Sequence, residues 1–129
     1  MTQRFGSGGP YEDRIGYSRA ICAGPHLWVS GCTSVVDGAV AHVGDAVEQA
    51  RVAFANALRA VDAAEFGPAD VVRTRIFVVD IAANGDDVGR VHGEVFRDVR
   101  PAATMVGVSG LLDPEMLVEV EVECYRGER

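Results

Sequence analysis

The chain has 129 residues, 48% of them apolar, and its 12 basic and 19 acidic side chains leave a formal charge of −7. This size and composition predict one globular domain with a hydrophobic core, and the acidic balance disfavours nucleic acid or an anionic membrane as a partner. No apolar run approaches the ~18 residues of a membrane-spanning helix, and the N-terminus lacks the apolar region of a signal peptide. The three cysteines are odd in number and widely spaced, which favours reduced thiols in a cytoplasmic protein over a disulfide framework.

The N-terminal third predicts short strands joined by tight turns. Residues 1–13 are polar and rich in glycine, and we expect them to form an irregular lead-in to a single domain spanning 1–129. Two strands within 16–30 form a predicted hairpin with its turn at Gly24-Pro25. Asp37-Gly38 is the sequence of a second tight turn, between two pairs of apolar residues.

Two amphipathic helices are predicted next. The first is about 20 residues long and begins at Asp45, which can cap it together with Glu48 three residues further on. The second begins within 84–87 and contains Gly89 and Gly93 on one side. Each glycine lowers the stability of a helix by roughly 1 kcal/mol relative to alanine, so a closely packed neighbour is expected on that side. The apolar residues that recur every three or four positions are Val47, Ala50, Phe54, Leu58 and Val61 in the first helix, and Val88, Val91, Val95 and Val99 in the second.

The remaining strands have two contrasting faces. Residues 117–124 alternate valine with glutamate, which predicts a strand with one apolar face and one carboxylate face. Residues 102–108 are its expected antiparallel partner, with Asp113-Pro114 in the turn. In the strand over 70–80, Val72, Thr74, Ile76 and Val78 are predicted to face the helices. The opposite sheet face carries Arg73, Arg75, Phe77, Glu119, Glu121 and Glu123. It would be uncovered, which indicates an oligomer surface with paired opposite charges.

Seven segments carry further information through their order and spacing: Gly16-Tyr17-Ser18-Arg19-Ala20, Trp28-Val29-Ser30-Gly31, Asp45-x-x-x-Gln49-x-Arg51, Asp70-Val71-Val72-Arg73-Thr74, Val78-Val79-Asp80-Ile81, Arg100-Pro101-Ala102 and Leu117-Val118-Glu119-Val120-Glu121. Together they resemble the Rid superfamily, also called YjgF or L-PSP, of imine and enamine deaminases. The resemblance implies an α+β, chorismate-mutase-like fold of the bacillus type, with a mixed β-sheet and two α-helices packed on one face. It also implies a homotrimer with a central β-barrel, and small-molecule clefts between the subunits.

The resemblance also implies a set of site residues. Active members hold the substrate carboxylate with the arginine of a Pro-Ala-Arg motif, since a guanidinium matches a carboxylate bidentately. Ala103 stands at that position here, which places the chain with an arginine-lacking subgroup. The predicted catalytic residues are Glu119, beside the water and the imine nitrogen, and Tyr17. The predicted ligand-binding residues are Ser30, Gly31, Cys32, Thr33, Gly89, His92, Ala103, Thr104 and Met105.

Each candidate also has a structural interpretation. Glu119 can act as a general base, or can be an interface charge balanced by an arginine on the next strand. Tyr17 can bind ligand or pack at a subunit edge, and Arg19 can replace the missing guanidinium or be a solvated surface residue. His92 can be an acid/base group or a packed helix residue. Cys32 can be a reactive thiol or a small buried hydrophobe, and a glycine just before it indicates a bulge or a close backbone approach.

Three functions stay open at this stage. The first is a cofactor-free hydrolase of an imine, an enamine or a related C–N compound, in which Glu119 positions water. The second is a trimer that binds or senses a metabolite without turnover. The third is a ribonuclease or translation inhibitor, which an acidic chain without a basic stripe disfavours. No metal or cofactor is predicted, because the histidines and cysteines lack ligand spacing and no phosphate-binding glycine motif is present.

Overall fold

A six-stranded mixed sheet with two long helices on one face organises the computed structural model, which describes residues 2–127. The strands are β1 (Thr2–Phe5), β2 (Ala20–Ala23), β3 (His26–Cys32), β4 (Val35–Val36), β5 (Ala39–Val40), β6 (Val71–Val79), β7 (Ala102–Val108) and β8 (Val118–Tyr125). The helices are α1 (Glu12–Ile15), α2 (Ala46–Ala63) and α3 (Ile81–Phe96), with a 3-10 turn at Pro68–Asp70. The main sheet has the order β1-β2-β3-β8-β6-β7, while β4 and β5 form a separate two-stranded ribbon. The predicted α+β architecture is confirmed.

The position of β7 corrects the predicted hairpin. β8 lies between β3 and β6 and is antiparallel to both, whereas β7 pairs only with β6, in parallel. The predicted pairing of 102–108 with 117–124 is therefore wrong. The physical reason is that α3 carries the chain back along β6, so the next strand must run parallel to β6 at the sheet edge. The chain then crosses over to the centre through 109–117.

Helix α2 forms as predicted. The Asp45 side chain accepts a hydrogen bond from the Glu48 backbone N–H at 3.1 Å, which satisfies one of the free donors at the helix start. Ala50, Phe54 and Val61 are fully buried, and Val47 and Leu58 pack against the same core. The side chain of the buried Gln49 also fixes the approach to β8, because it donates to Glu115 O at 2.9 Å and accepts from Leu117 N at 2.8 Å.

Helix α3 begins earlier than predicted. Its first residue is Ile81 rather than one of 84–87, and the Asn84 side chain donates to Val79 O at 2.9 Å instead of capping a later start. A Cβ on Gly89 would meet only Met105 Cε, at 3.7 Å, and a Cβ on Gly93 would meet nothing within 4 Å. The described part of this chain therefore does not supply the close neighbour that these glycines suggested.

The N-terminal segment is also more ordered than predicted. Residues 2–5 pair with β2 in antiparallel register, and Glu12–Ile15 form one helical turn, so the expectation of an irregular lead-in over 1–13 is wrong for those residues. Strand pairing uses backbone groups and needs no apolar side chains, which explains why the polar composition concealed it. Residue 1 and residues 128–129 lie outside the described part.

The two faces of the sheet differ as expected, with one correction. Val72 is 46% exposed, because a register shift between Val71 and Arg73 places Val71 on the buried face instead. On the open face, Arg75 Nη1 lies 2.7 Å from Glu123 Oε1 and 3.7 Å from Glu121 Oε1, which confirms the predicted charge pairing. The third glutamate of the row, Glu119, lies opposite Phe77. Glu119 therefore faces no cation across the strand pair.

Candidate functional site

Glu119 lies against a bulge in the neighbouring strand. The pairing of β3 with β8 shifts register between Val29 and Cys32, and the Glu119 side chain covers the backbone of Gly31 there. A Cβ on Gly31 would come within 2.8 Å of Glu119 Cδ and would overlap its carboxylate oxygen. Glycine is thus needed for the carboxylate to take this position, and the predicted close approach of the backbone is confirmed.

The environment of Glu119 favours its protonated form. Burial and the charge of Glu121 raise the pKa of Glu119 above its ordinary value, against a smaller opposing effect of Arg19. Within residues 2–127, the open-face arginine Arg75 pairs with the other two glutamates of β8 and not with this one. Glu119 can therefore hold a proton nearer to neutral pH than an exposed glutamate, and can exchange it with a bound molecule.

Arg19 connects several parts of the same site. Its Nη1 donates to Gly31 O at 2.6 Å and to Ser30 O at 3.1 Å, and its Nη2 donates to the Tyr17 hydroxyl at 3.0 Å. Its Nε lies 3.6 Å from Glu12 Oε2. The guanidinium is thus a buried structural cation and not the solvated surface group that the sequence also allowed.

Glu12 is the site residue that sequence reasoning missed. It is only 7% exposed, and its carboxylate accepts hydrogen bonds from the backbone N–H and the hydroxyl of Ser7. Burial raises the pKa of Glu12, but the bonds from Ser7 and the charge of Arg19 outweigh it and lower the pKa overall. No local pattern in the polar 1–13 segment indicates this role, because the partner cation is seven positions away.

Cys32 is buried beside the Arg19 guanidinium. The distance from Arg19 Nη1 to Cys32 Sγ is 3.1 Å. Burial nevertheless raises the pKa of the thiol more than the nearby positive charge lowers it. Cys32 is therefore a protonated thiol near neutral pH, which favours the structural interpretation of this residue over a reactive thiolate.

A cavity of about 1150 Å³ borders this group of residues. Its lining includes five of the predicted site residues, Tyr17, Gly31, Cys32, Thr33 and Glu119, together with Arg19. The glycine-rich segment 6–10 and the outward side of α2 form its other walls. Ser30 has a structural use instead, since its hydroxyl donates to Ser18 O at 2.7 Å.

The other predicted residues lie on α3 and β7, beyond β6, and none of them borders this cavity. His92 Nε2 lies 2.8 Å from the hydroxyl of the fully buried Thr74, and Ala103 is the strand neighbour of Thr74. The His92 ring packs against Phe54 and Phe96, and burial lowers its pKa, so the imidazole is neutral near pH 7. Gly89, Thr104 and Met105 belong to the same two elements. A single chain therefore divides the predicted site into two separate groups.

The described residues show neither a metal centre nor a membrane segment. Between residues 2 and 127, no three His, Cys, Asp or Glu side chains are grouped so that they could hold a metal ion. In the same range no helix has both the length and the apolar character needed to cross a membrane.

Comparison with known proteins agrees with this architecture. Residues 11–125 match the family model of the endoribonuclease L-PSP proteins. The chain belongs to this family. The family is also called YjgF or Rid, and the match spans every element from α1 to β8.

Several known proteins resemble the chain along most of its length. An uncharacterised protein of Streptomyces coelicolor is 40% identical over 98% of this chain and 93% of its own. A RutC family protein of Sulfurisphaera tokodaii is 35% identical over 86% of this chain and 88% of its own. The crystal structure of a YjgF/YER057c/UK114 family member from Mycobacterium tuberculosis is 38% identical, covers 98% of this chain and 100% of its own, and superposes with a TM-score of 0.87. The chorismate-mutase-like fold is thereby established for this chain.

Proposed function

We propose that the protein is a cofactor-free hydrolase of a small imine, enamine or related C–N compound, acting in the cytoplasm in clefts between the subunits of a homotrimer. The observation that carries this proposal is the Glu119 carboxyl. It borders a cavity, its pKa is raised, and it is the one glutamate of the β8 row whose partner on β6 is uncharged. A carboxyl in this condition is suited to proton transfer.

The division of the site into two groups supports a trimer. The group around Glu119 and the group on α3 and β7 lie on different strands of one sheet, separated by β6. Three sheets closing into a central barrel would bring the β7 edge of one copy to the Glu119 cavity of the next. The paired charges of Arg75, Glu121 and Glu123 on the open face suit such an interface, because the arginine would already offset part of the charge of the two glutamates.

The chemistry proposed for Glu119 needs only this chain and water. Protonated Glu119 donates to the imine nitrogen, which makes the imine carbon more electrophilic, and water adds to that carbon. The resulting carbinolamine loses ammonia as the C–N bond breaks, which leaves a carbonyl product and returns the proton to the carboxylate. The Tyr17 hydroxyl accepts from Arg19 Nη2, so its own proton is available to a bound substrate.

Ala103 is the reason for keeping a second candidate function. An alanine cannot bind a substrate carboxylate as the arginine of the Pro-Ala-Arg motif does, so this chain fits the proposed arginine-lacking subgroup. The trimer could then bind or sense a metabolite without turnover. Ribonuclease activity is disfavoured, because the formal charge of −7 opposes the phosphate contacts on which nucleic-acid affinity depends.

The direct test is to generate short-lived imines enzymatically and to follow ammonia release with and without the protein. We expect acceleration by the wild type, and a fall in kcat of about 100-fold or more for Glu119→Gln, the usual size of a lost acid/base group. Glu123→Gln is the matched control, since it removes a carboxylate from the same strand and face but not from the cavity wall. No acceleration of any imine would contradict the hydrolase and leave the binding protein as the alternative, while full activity in Glu119→Gln would contradict the role of Glu119.

A further inference from the structure

The guanidinium of Arg19 has almost no hydrogen-bonding capacity left for a ligand. Of its five N–H groups, the two on Nη1 face Gly31 O and Ser30 O, and one on Nη2 faces the Tyr17 hydroxyl. The Nε–H lies toward Glu12, and the side chain is 14% exposed. One N–H therefore stays uncommitted, which is too few for the two parallel bonds that hold a carboxylate.

We infer that Arg19 is a positioning residue for the Glu119 wall, and that the substrate of this site carries no carboxylate on its C–N carbon. This inference rests on the proposed hydrolase and narrows its substrate class to neutral or protonated imines and enamines without an α-carboxylate.

The positioning role follows from where the Arg19 bonds go. The carbonyls of Ser30 and Gly31 lie within the register shift between β3 and β8, where regular ladder pairing is interrupted. Arg19 supplies donors to both carbonyls and so fixes the bulge on which the Glu119 side chain rests. Glu12 holds the same guanidinium from the other side. A change at Arg19 should therefore move Glu119 before it affects any ligand contact.

The selection against a carboxylate follows from the charges around the cavity. An α-carboxylate would lie close to Glu119, and it would repel the negative charge that Glu119 acquires when it gives its proton to the imine nitrogen. Two more arginines border this cavity, but Arg51 is paired with Glu48 and Glu94, and Arg59 donates to Asn56 on the exposed side of α2. A neutral or protonated C–N group meets no such penalty.

The α3 and β7 group lacks the arginine of the Pro-Ala-Arg motif, and Arg73 beside it already donates from Nη1 to Thr104 Oγ1 at 3.3 Å. Position 103 is alanine, and Arg97 and Arg100 lie where α3 ends. Cations at a helix C-terminus are stabilised by its carbonyl groups, while an anionic ligand there would be disfavoured. The negative end of α3 therefore opposes a carboxylate bound beside these two arginines.

The test uses two imines that differ by the carboxylate alone. A flavin amine oxidase acting on 3-methylbutylamine gives the carboxylate-free imine, and an amino-acid oxidase acting on leucine gives its 2-imino acid. We expect kcat/KM for the carboxylate-free imine to exceed that for the imino acid by about tenfold or more, the ratio for a single lost charge contact. Equal values, or a preference for the imino acid, would overturn the inference while the hydrolase proposal stands.

Arg19→Lys separates positioning from clamping. Lysine keeps the charge but cannot reach the two bulge carbonyls and Tyr17 together, so we expect kcat to fall about tenfold with KM unchanged for either imine. A clamp would instead raise KM for the imino acid alone, and that result would contradict the inference. Arg4→Ala, which removes an exposed arginine from β1, is the control and should match the wild type.

Calorimetry keeps the inference testable should the hydrolase proposal fail. With neither imine accelerated, the wild type is titrated with 3-methylbutylamine and with 4-methyl-2-oxopentanoate, which has the same branched carbon chain plus the carboxylate. Binding of the amine but not of the oxo acid supports the inference. Binding of the oxo acid, or of neither compound, overturns it.

Discussion

Around Glu119 nearly every polar group has a fixed partner, whereas on α3 and β7 the matching positions are occupied by small side chains. Arg19 joins the bulge at Gly31 to Glu12, and Glu12 in turn holds the segment at Ser7. Of the predicted site residues on α3 and β7, only His92 is titratable, and its Nε2 is engaged by Thr74. Under the proposed function, we expect the first region to carry out proton transfer and the second to determine which substrates can approach it.

The separation of the two regions makes the proposed site depend on oligomerisation, because the two regions can form one site only across a subunit boundary. We expect the wild type to sediment at three times its chain mass of 13.7 kDa. Phe77→Asp, on the open face opposite Glu119, should give a monomer with unchanged helix content and no imine hydrolysis, because the new charge would be buried in the barrel. A wild type that sediments as a monomer would remove the proposed clefts.

Gly31→Ala is expected to have the next largest effect. The added Cβ overlaps the Glu119 carboxylate, so the side chain must leave its position, and hydrolysis should fall about 100-fold, as for loss of the acid itself. The stability cost should be only about 1–2 kcal/mol, because the flexible end of Glu119 can move away. Activity assays and denaturant unfolding measure the two effects separately.

Gly93→Ala provides the matched control. A Cβ at Gly93 meets nothing within 4 Å in the described chain. The variant should therefore be active, and its helix should be more stable by roughly 1 kcal/mol. Lost trimer formation in Gly93→Ala would instead mean that a neighbouring copy packs against this glycine. Full activity in Gly31→Ala would show that the position of Glu119 over the bulge is not needed.

Ala103→Arg tests whether the region on α3 and β7 can bind a carboxylate. An arginine here restores the Pro-Ala-Arg motif, and a bidentate guanidinium should shift kcat/KM toward the leucine-derived imino acid by about tenfold. Ala103→Leu, which adds volume without charge, should not produce that shift. An unchanged preference in Ala103→Arg would indicate that the second region cannot hold a carboxylate in any form.

The sequence predicted best those features that depend on local chemistry. The Asp45 cap, the α2 stripe, the Asp37-Gly38 turn and the two faces of β8 are each fixed by neighbouring residues, and all are confirmed. The approach of Gly31 to another group was also predictable, because a glycine weakens the interior of a strand and so marks a bulge or a close backbone contact.

Features that depend on distant partners were not predictable. No turn signal reveals that β6 lies between β7 and β8, and a bulge at Val72 reverses the alternation without changing composition. Glu12 and Arg19 illustrate the same limit in the site. Each resembles an ordinary charged residue until the fold places both in one buried network.

The smallest predicted effect concerns the pH dependence of stability and comes from His92. Burial lowers its pKa in the folded protein below the ordinary value of 6.5, so the unfolded chain binds more protons near pH 6. The unfolding free energy should therefore decrease as pH falls from about 7 through the lowered pKa. Because His92 is only half buried, solvent screening should keep its contribution to the unfolding free energy below about 1 kcal/mol. His92→Phe, measured by denaturant unfolding at fixed protein concentration, should flatten this slope. The stability contributed by the Glu12 carboxylate is lost only when the pH falls below the ordinary glutamate pKa of 4.5, so it does not interfere. An unchanged slope in His92→Phe would show that the imidazole is not held neutral by the fold.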